Sequence, residues 1–208
     1  MFYFVKTPGW LKWLYGRCVW SIPAEEKIIY LTFDDGPHPE ITPFILDELK
    51  RYNARASFFC IGKNVVAYPE VYKRVIEEGH AVGNHTFNHL NGWKTKDGVY
   101  LDDIAAAKKH IDSNLYRPPY GRISRFQLMQ LSGNRFNLET VMWTVLSGDF
   151  DEAIKPEHCL KNVLRNCSAG SIVVFHDSEK ANTRMRYALS GCLEYFSKKG
   201  YRFEKIVL

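Results

Sequence analysis

The 208-residue sequence lacks the cysteine pattern of a disulfide-stapled domain or a zinc-thiolate site. Its cysteines are odd in number and include no CxxC pair: Cys18, Cys60, Cys159, Cys167 and Cys192. Neither a disulfide framework nor a cysteine-ligated metal fits this spacing. Buried free thiols are the expected state, and they favour a reducing, cytoplasmic compartment.

Long apolar runs are also missing, since no stretch approaches the roughly 18 apolar residues of a membrane span. The N-terminal MFYFVKTPGWLKWLYGRCVW is broken by Lys6, Pro8 and Gly9, so we expect neither a signal peptide nor a transmembrane segment. Three of the five tryptophans lie in this stretch, with three basic residues and no acidic one. We expect residues 1–24 to form an arm or short helix packed on the domain; docking on a membrane surface or a partner is the alternative.

Charge of one sign is not concentrated anywhere in the chain. The 28 basic and 23 acidic residues give a net charge of +5, without the basic stripe of nucleic-acid binders. A glycine-rich phosphate loop is absent after the first predicted strand, where TFDDGP stands, which argues against dinucleotide and P-loop sites. Hydrophobic residues at 46% and charged residues at 25% are ordinary for a globular protein, and the length predicts one domain over residues 25–208.

Strand-like apolar runs alternate with amphipathic helix-like segments through this domain. The predicted strands are 27–33, 55–61, 80–84, 115–117, 138–144, 171–175 and 201–207. The predicted helices are 39–52, 69–79, 102–111, 156–166 and 182–199. Such alternation implies βαβ units and a parallel α/β sheet, either open and doubly wound or closed into a barrel of fewer than eight strands.

Polar side chains with catalytic or metal-binding chemistry follow the ends of five predicted strands. They are Asp34, Asp35, His85, His89, Arg117, Tyr120, Asp149, His176 and Asp177. In a parallel barrel the carboxyl ends of the strands converge on one face, where active sites are built. The sequence therefore predicts that these scattered residues share one rim.

A metal site is indicated by the combination of two short patterns. His85 and His89 are four residues apart, a spacing that lets both imidazoles face one metal from a helix or a strand-to-helix turn. Asp34 and Asp35 are adjacent carboxylates, which repel each other unless a cation or an arginine offsets them. Structural histidines and a plain Asp-Gly turn are the alternatives for each pattern alone.

Two further segments have chemistry suited to catalysis. His176 ends an apolar strand, where an imidazole with a pKa near 6.5 can act as a general acid or base; a hydrogen-bonded structural histidine is the alternative. The Arg117–Gly121 segment, RPPYG, is a turn whose prolines fix φ, so that the following backbone N–H groups can point at an oxyanion. A plain loop is the alternative there.

Taken in order, TFDDGP, HTFNH, RPPYG and FHDS resemble the motifs of the polysaccharide deacetylases. That family includes chitin deacetylases, nodulation-type chitooligosaccharide deacetylases, peptidoglycan N-acetylglucosamine deacetylases and acetylxylan esterases of the carbohydrate esterase type. The likeness runs from about residue 27 to the C-terminus. It implies a distorted, TIM-barrel-like (β/α) barrel with about seven strands.

The resemblance also implies a metal centre. Asp35, His85 and His89 match the family's ligands for one divalent ion, usually zinc, with cobalt, manganese or nickel as alternatives. Asp34 matches the general base, and Arg117 matches the residue that holds this base in place.

The remaining roles that the resemblance implies concern the oxyanion, the leaving group and the acyl pocket. Tyr120 matches the residue whose backbone N–H binds the oxyanion, and His176 matches the general acid, which Asp149 orients. The fourth family motif is altered, because Phe150 stands where a tryptophan often lines the acetyl pocket; Val174 stands near a usual leucine.

The implied function is hydrolysis of N-acetyl groups on an amino-sugar oligosaccharide or polysaccharide. An O-acetyl polysaccharide esterase is the alternative within enzymes, and a catalytically inactive sugar-binding scaffold is the alternative outside them. Trp93 lies four residues after His89 in a polar loop and is a candidate sugar platform or, equally, a buried anchor. We expect a carbohydrate partner and no nucleic acid.

Overall fold

The computed structural model describes residues 3–133 and 136–208, so the first two residues of the predicted arm lie outside the described chain. The helices are Gly9–Leu14 (α1), Ile41–Arg51 (α2), Gly62–Ala67 (α3), Pro69–Glu77 (α4), Asp97–Lys108 (α5), Arg125–Leu131 (α6), Pro156–Asn166 (α7) and Asn182–Lys198 (α8). The strands are Ile28–Asp34 (β1), Ala56–Cys60 (β2), Ala81–Asn84 (β3), Leu115–Tyr116 (β4), Glu139–Thr140 (β5), Val145–Leu146 (β6), Ile172–His176 (β7) and Arg202–Phe203 (β8).

The strands form one parallel sheet in the order β5-β4-β3-β2-β1-β7-β6, and β8 pairs with the start of β1. The two outermost strands, β5 and β6, are separated along the chain only by residues 141–144. This one run of chain therefore connects both edges of the sheet, which is curled into a distorted barrel. The predicted α/β class and the distorted (β/α) barrel are confirmed.

Alternation along β1 separates the outer layer from the barrel interior. Leu31 and Phe33 belong to the main apolar cluster, which they share with residues of α2 and α8. Thr32 and Asp34 point the other way, and both side chains bond to the guanidinium of Arg117. The register places Asp34 beside His176 of β7, so two polar strand ends become neighbours at the rim.

The N-terminal arm is part of the barrel wall. Its first segment runs antiparallel to β6, with Thr7 N–H donating to Thr144 O at 2.9 Å and Leu146 N–H donating to Val5 O at 2.8 Å. Val19 then bridges Val141 in parallel. The arm thereby covers the outer edge of the run that closes the sheet, which supplies backbone partners where that run leaves the regular ladder.

Two predicted strands are shorter in the structure than the sequence suggested. The strand expected at 138–144 is only Glu139–Thr140, because the carbonyls of Val141 and Met142 bond to Arg117 as the chain crosses from β5 to β6. The strand expected at 201–207 is only Arg202–Phe203.

Helices α3 and α6 were not predicted, because six or seven residues are too few to show a helical repeat. The start of α6 does have a sequence signal, since Ser124 and Gln127 form a reciprocal capping box. All five cysteines are free, as expected. In the described part of the chain, no helix combines the length and the apolar composition needed to cross a bilayer.

The arm's contribution to stability can be tested with two of its own tryptophans. Trp20 is 7% exposed and its indole N–H bonds to Tyr15 O, whereas Trp13 is 83% exposed. Trp20→Ala should lower the free energy of unfolding by about 3–5 kcal/mol, because it empties a buried site. Trp13→Ala, the matched control, should change it by less than about 0.5 kcal/mol. Urea titration of both variants checks this, and equal effects would mean that the arm does not anchor through Trp20.

Candidate active site

Three predicted metal ligands meet at the carboxyl end of the barrel. Asp35 follows β1, and His85 and His89 lie in the loop after β3. Asp35 Oδ1 is 3.8 Å from His85 Nε2 and 3.2 Å from His89 Nε2, and one donor atom from each residue lies within 4.8 Å of the others. Residues 85–89 are not helical, which corrects one of the two geometries considered from the spacing; positive φ at Thr86 and His89 turns both imidazoles inward instead.

His85 is held in the tautomer that a metal ligand needs. Its Nδ1 is 2.7 Å from the backbone carbonyl of Arg117, and because a carbonyl can only accept, Nδ1 must carry the proton. The lone pair on Nε2 therefore faces Asp35. Burial lowers the pKa of His85 to about 4, so the imidazole is neutral at physiological pH.

Asp35 completes a donor set that fits a divalent cation. Its Oδ1 is buried and has no hydrogen-bond partner among the described residues, although His89 Nε2 is close. Burial opposes its charge, but the close approach of His89 and the positive charge of His176 hold the pKa of Asp35 well below its usual range. Two imidazole nitrogens and one carboxylate oxygen are the ligands of hydrolytic zinc sites that keep an open position.

Asp34 is paired with an arginine inside the barrel. Arg117 is fully buried, and its Nη1 donates to Asp34 Oδ1 and to Thr32 Oγ1, each at 2.7 Å. The guanidinium carbon lies 4.0 Å from the centre of the Phe59 ring. Burial lowers the pKa of Arg117, but an arginine stays charged in proteins, so this ion pair offsets the Asp34 carboxylate beside Asp35.

His176 and Asp149 form a second pair on the same rim. Asp149 Oδ1 lies 2.8 Å from His176 Nδ1, and its Oδ2 accepts the backbone N–H of His176 at 2.7 Å. Burial by itself opposes a charged imidazole, but the charge and hydrogen bond of Asp149, together with Asp35 and Asp34, raise the pKa of His176 to about 10. The imidazole is therefore protonated at neutral pH, with Nε2 available to donate.

The turn that follows Asp35 is fixed by hydrogen bonds with residues to which the sequence analysis assigned no such role. Asp177 Oδ1 accepts the Gly36 N–H at 2.7 Å, and its Oδ2 accepts the Thr42 hydroxyl at 2.5 Å. A Cβ at Gly36 would overlap that carboxylate, so only glycine fits. Asn64 donates to the backbone carbonyl of Asp35 at 2.7 Å. No sequence signal marks Thr42 or Asn64, because their partners are distant in the chain.

Tyr120 has the backbone position expected of an oxyanion donor. Its φ of 59° lets the preceding Pro-Pro segment turn sharply, and its ring lies 4.7 Å from that of His89. Within residues 3–133 and 136–208, the N–H of Tyr120 has no hydrogen-bond acceptor, whereas those of Gly121 and Arg122 bond to Pro118 and Pro119. An N–H group left free beside the cluster can bind an incoming oxygen.

Trp93 is both anchored and exposed. Its indole N–H donates to Ile123 O at 2.9 Å, and the Arg122 guanidinium lies 4.2 Å from the ring centre, yet 57% of the residue remains exposed. It is therefore not a buried anchor. One ring face is in contact with Arg122.

The apolar wall beside His176 includes one residue that the sequence analysis missed. The Phe150 ring lies 5.3 Å from that of His176, edge to face, and 5.0 Å from that of Tyr3. Tyr3 comes from the N-terminal arm, so sequence distance concealed it. Val174 is buried in β7 two residues before His176, on the same strand face.

Backbone strain is concentrated here. Of the six non-glycine residues with positive φ in the described chain, four belong to this rim: Asp35, Thr86, His89 and Tyr120. Such conformations cost about 1–3 kcal/mol each and persist where the surrounding structure enforces them. Their clustering at one rim is typical of a functional site.

Comparisons with known proteins agree with this geometry. A family model described as polysaccharide deacetylase matches residues 21–136. The chain is 37% identical to a peptidoglycan-N-acetylglucosamine deacetylase of Bacillus cereus over 90% of both chains. It is 35% identical to a chitooligosaccharide deacetylase of Azorhizobium caulinodans, over 75% of this chain and 76% of the other.

Among solved structures, the chain is similar to the Bc1960 peptidoglycan N-acetylglucosamine deacetylase, solved in complex with 4-naphthalen-1-yl-N-oxidanyl-benzamide. The TM-score is 0.86 and the identity 32%, with 96% of this chain and 95% of the other covered. The family model, the sequence relatives and this fold all point to the same family. The chain belongs to the polysaccharide deacetylase family.

Proposed function

We propose that this chain is a metal-dependent deacetylase that removes N-acetyl groups from an amino-sugar oligosaccharide or polysaccharide of the peptidoglycan or chitin type. The observation that carries the proposal is the convergence of three groups on one rim: the Asp35–His85–His89 cluster, the Asp34–Arg117 pair and the Asp149–His176 pair. The names of the relatives support the substrate class, since they are peptidoglycan and chitooligosaccharide deacetylases.

The two neighbouring carboxylates divide the work at the start of the reaction. A divalent cation held by Asp35, His85 and His89 would polarise the acetyl carbonyl and make a water molecule more acidic. Asp34 accepts the proton of the attacking water. Its hydrogen bond from Arg117 fixes the carboxylate in one orientation, which leaves Oδ2 free for this proton.

Collapse of the tetrahedral intermediate depends on the other side of the rim. The N–H of Tyr120 donates to the oxyanion, and His176 Nε2 gives its proton to the departing nitrogen. Asp149 holds the imidazole through Nδ1 and keeps it charged until that moment. Phe150 and Val174 supply the apolar wall for the acetyl methyl group, and Trp93 supplies a ring edge and face for a sugar beyond the rim.

The protonated His176 favours an amide substrate over an O-acetyl ester. An amine cannot leave as its anion, so it needs a proton from a positioned general acid that is protonated at neutral pH, whereas an alkoxide leaves with less help. The Asp149–His176 pair is built for this proton transfer, which is why N-deacetylation is proposed ahead of O-acetyl esterase activity. No metal ligand and no base of the family pattern is lost from the sequence, which also argues against an inactive sugar-binding scaffold.

Acetate release from a substrate panel tests the proposal. Zinc-loaded protein should release acetate from chitooligosaccharides or peptidoglycan fragments faster than from acetylxylan, and a chelator should abolish the reaction until metal is restored. Faster release from acetylxylan would establish the esterase alternative. Sugar binding without release from any substrate, with metal bound, would establish the inactive scaffold.

Replacing Asp34 and Asp35 one at a time distinguishes the proposed general base from the proposed metal ligand. Asp34→Asn should retain metal binding and lose activity by about 10²–10⁴-fold, because general base catalysis is typically worth that much. Asp35→Asn should instead weaken metal affinity, because it replaces an anionic ligand by a neutral amide. Isothermal titration with Zn²⁺ and acetate assays on both variants make the comparison. Near wild-type turnover in Asp34→Asn would assign the base elsewhere.

The pH dependence should report the Asp149–His176 pair. A general acid works only when protonated, so activity is lost as pH rises through the pKa of His176. Asp149→Asn removes the main interaction that raises this pKa, so the alkaline limb of kcat/KM should move to lower pH. The control is Glu179→Gln, which removes an exposed carboxylate three residues after His176 and should leave the limb unchanged. An unshifted limb in Asp149→Asn would assign it to another group.

A further inference from the structure

An exposed aromatic surface lies on the N-terminal arm and consists of side chains to which no part in the reaction is assigned. Trp10, Trp13 and Leu14 are spaced by three and four along α1 and so share one helix face; they are 60%, 83% and 38% exposed. The Phe4 ring lies 6.4 Å from that of Trp10 and extends the surface. We refer to these four side chains as the aromatic patch.

The aromatic patch is held rigidly although its side chains are exposed. The opposite face of α1 packs inward, where Leu11 and Tyr15 contact the buried cluster around Trp20. Residues on both sides of α1 pair with the barrel, through Lys6 against Val145 and Val19 against Val141. The tryptophans are therefore presented on a fixed scaffold.

Three basic residues lie in the same segment of the chain as this surface. Lys12 lies within α1, Lys6 precedes the helix and Arg17 follows it, and the first acidic residue of the sequence is Glu25. Within the described ranges, none of the three cations forms an ion pair. Burial lowers the pKa of Lys12, and the positive charge of Lys6 lowers it further. The two ammonium groups are therefore close enough to repel each other.

We propose that the aromatic patch and the three cations of its segment bind the surface of an anionic phospholipid bilayer, with α1 lying in the interface. Tryptophan rings partition to the boundary between headgroups and acyl chains. Basic residues beside such a surface are attracted to the acidic headgroups of anionic lipids. The exposed aromatic rings and the basic residues therefore both favour an anionic bilayer.

Charge also argues against a second copy of the chain as the occupant. A two-fold contact through the patch would bring Lys6, Lys12 and Arg17 of both copies into one interface. No acidic residue of the arm is present to offset these six cations. An anionic lipid surface removes the repulsion that such a dimer would create.

Vesicle co-sedimentation of the full chain tests the proposal, with phosphatidylcholine vesicles compared against vesicles of equal phosphatidylcholine and phosphatidylglycerol. The wild type should bind the anionic vesicles and not the neutral ones. Lys6→Gln, Lys12→Gln and Arg17→Gln combined should weaken binding roughly 100-fold, because each cation near an anionic surface contributes about fivefold. Trp10→Ser with Trp13→Ser should weaken it by at least about tenfold, since two indole rings that insert into the bilayer are removed.

Matched controls remove the same chemistry elsewhere on the surface. Phe126→Ser removes another exposed aromatic ring, and Lys50→Gln, Lys161→Gln and Arg165→Gln combined remove three exposed cations from α2 and α7. Both controls should bind like the wild type. Quenching of wild-type tryptophan fluorescence by brominated lipid gives a second readout that requires no variant to fold.

Three results would overturn the proposal. The first is a wild type that fails to sediment with anionic vesicles and shows no quenching. The second is equal loss of binding in the patch and control charge variants, which would mean a general charge effect. The third is a concentration-dependent dimer that disappears in Trp10→Ser with Trp13→Ser while vesicle binding is absent, which would assign the patch to a second copy.

Discussion

The buried guanidinium of Arg117 is the interaction on which the rest of this structure depends. It carries a full charge inside the barrel, and such a charge is tolerated only if it is paired and hydrogen-bonded. Its donors reach Asp34 and Thr32 on β1 and the carbonyls of Val141 and Met142 on the run that closes the sheet. One side chain thus satisfies backbone groups that have left the ladder and, at the same time, holds the carboxylate that we propose as the general base.

The same pairing explains how two adjacent aspartates can coexist at a strand end. Asp34 continues the pleat of β1 and points inward to Arg117, whereas Asp35 has a φ of 90° and turns toward His85 and His89. Each carboxylate therefore meets its own positive or metal-binding partner instead of its neighbour. The strained backbone of Asp35 is the cost of this separation, and the hydrogen bonds around Gly36, Thr42 and Asp177 keep the turn in place.

Much of this arrangement was predictable from the sequence, for reasons that the structure makes clear. The long strands β1, β2 and β7 have continuous apolar runs, and parallel strand ends must converge, so Asp34, His85 and His176 were expected on one rim. Short elements were less predictable. The strand expected at 138–144 breaks because Arg117 takes its carbonyls, a tertiary event that no local pattern encodes.

Contacts between distant segments were also beyond the reach of sequence patterns. Tyr3 reaches the Phe150 ring only because the arm runs antiparallel to β6, and nothing near Tyr3 indicates this. The tautomer of His85 depends on the position of one carbonyl of Arg117. Residue types predicted the chemistry of the site, whereas packing determined its geometry and its electrostatics.

Anomalous diffraction from crystals grown with one equivalent of Zn²⁺ per chain tests the central claim most directly. Data on either side of the zinc absorption edge locate the metal without reference to activity. We expect one peak bonded to Asp35, His85 and His89, with Asp34 still paired to Arg117. A peak on Asp34 with Arg117 displaced, or a metal bound only elsewhere on the chain, would contradict the division of roles between the two neighbouring carboxylates.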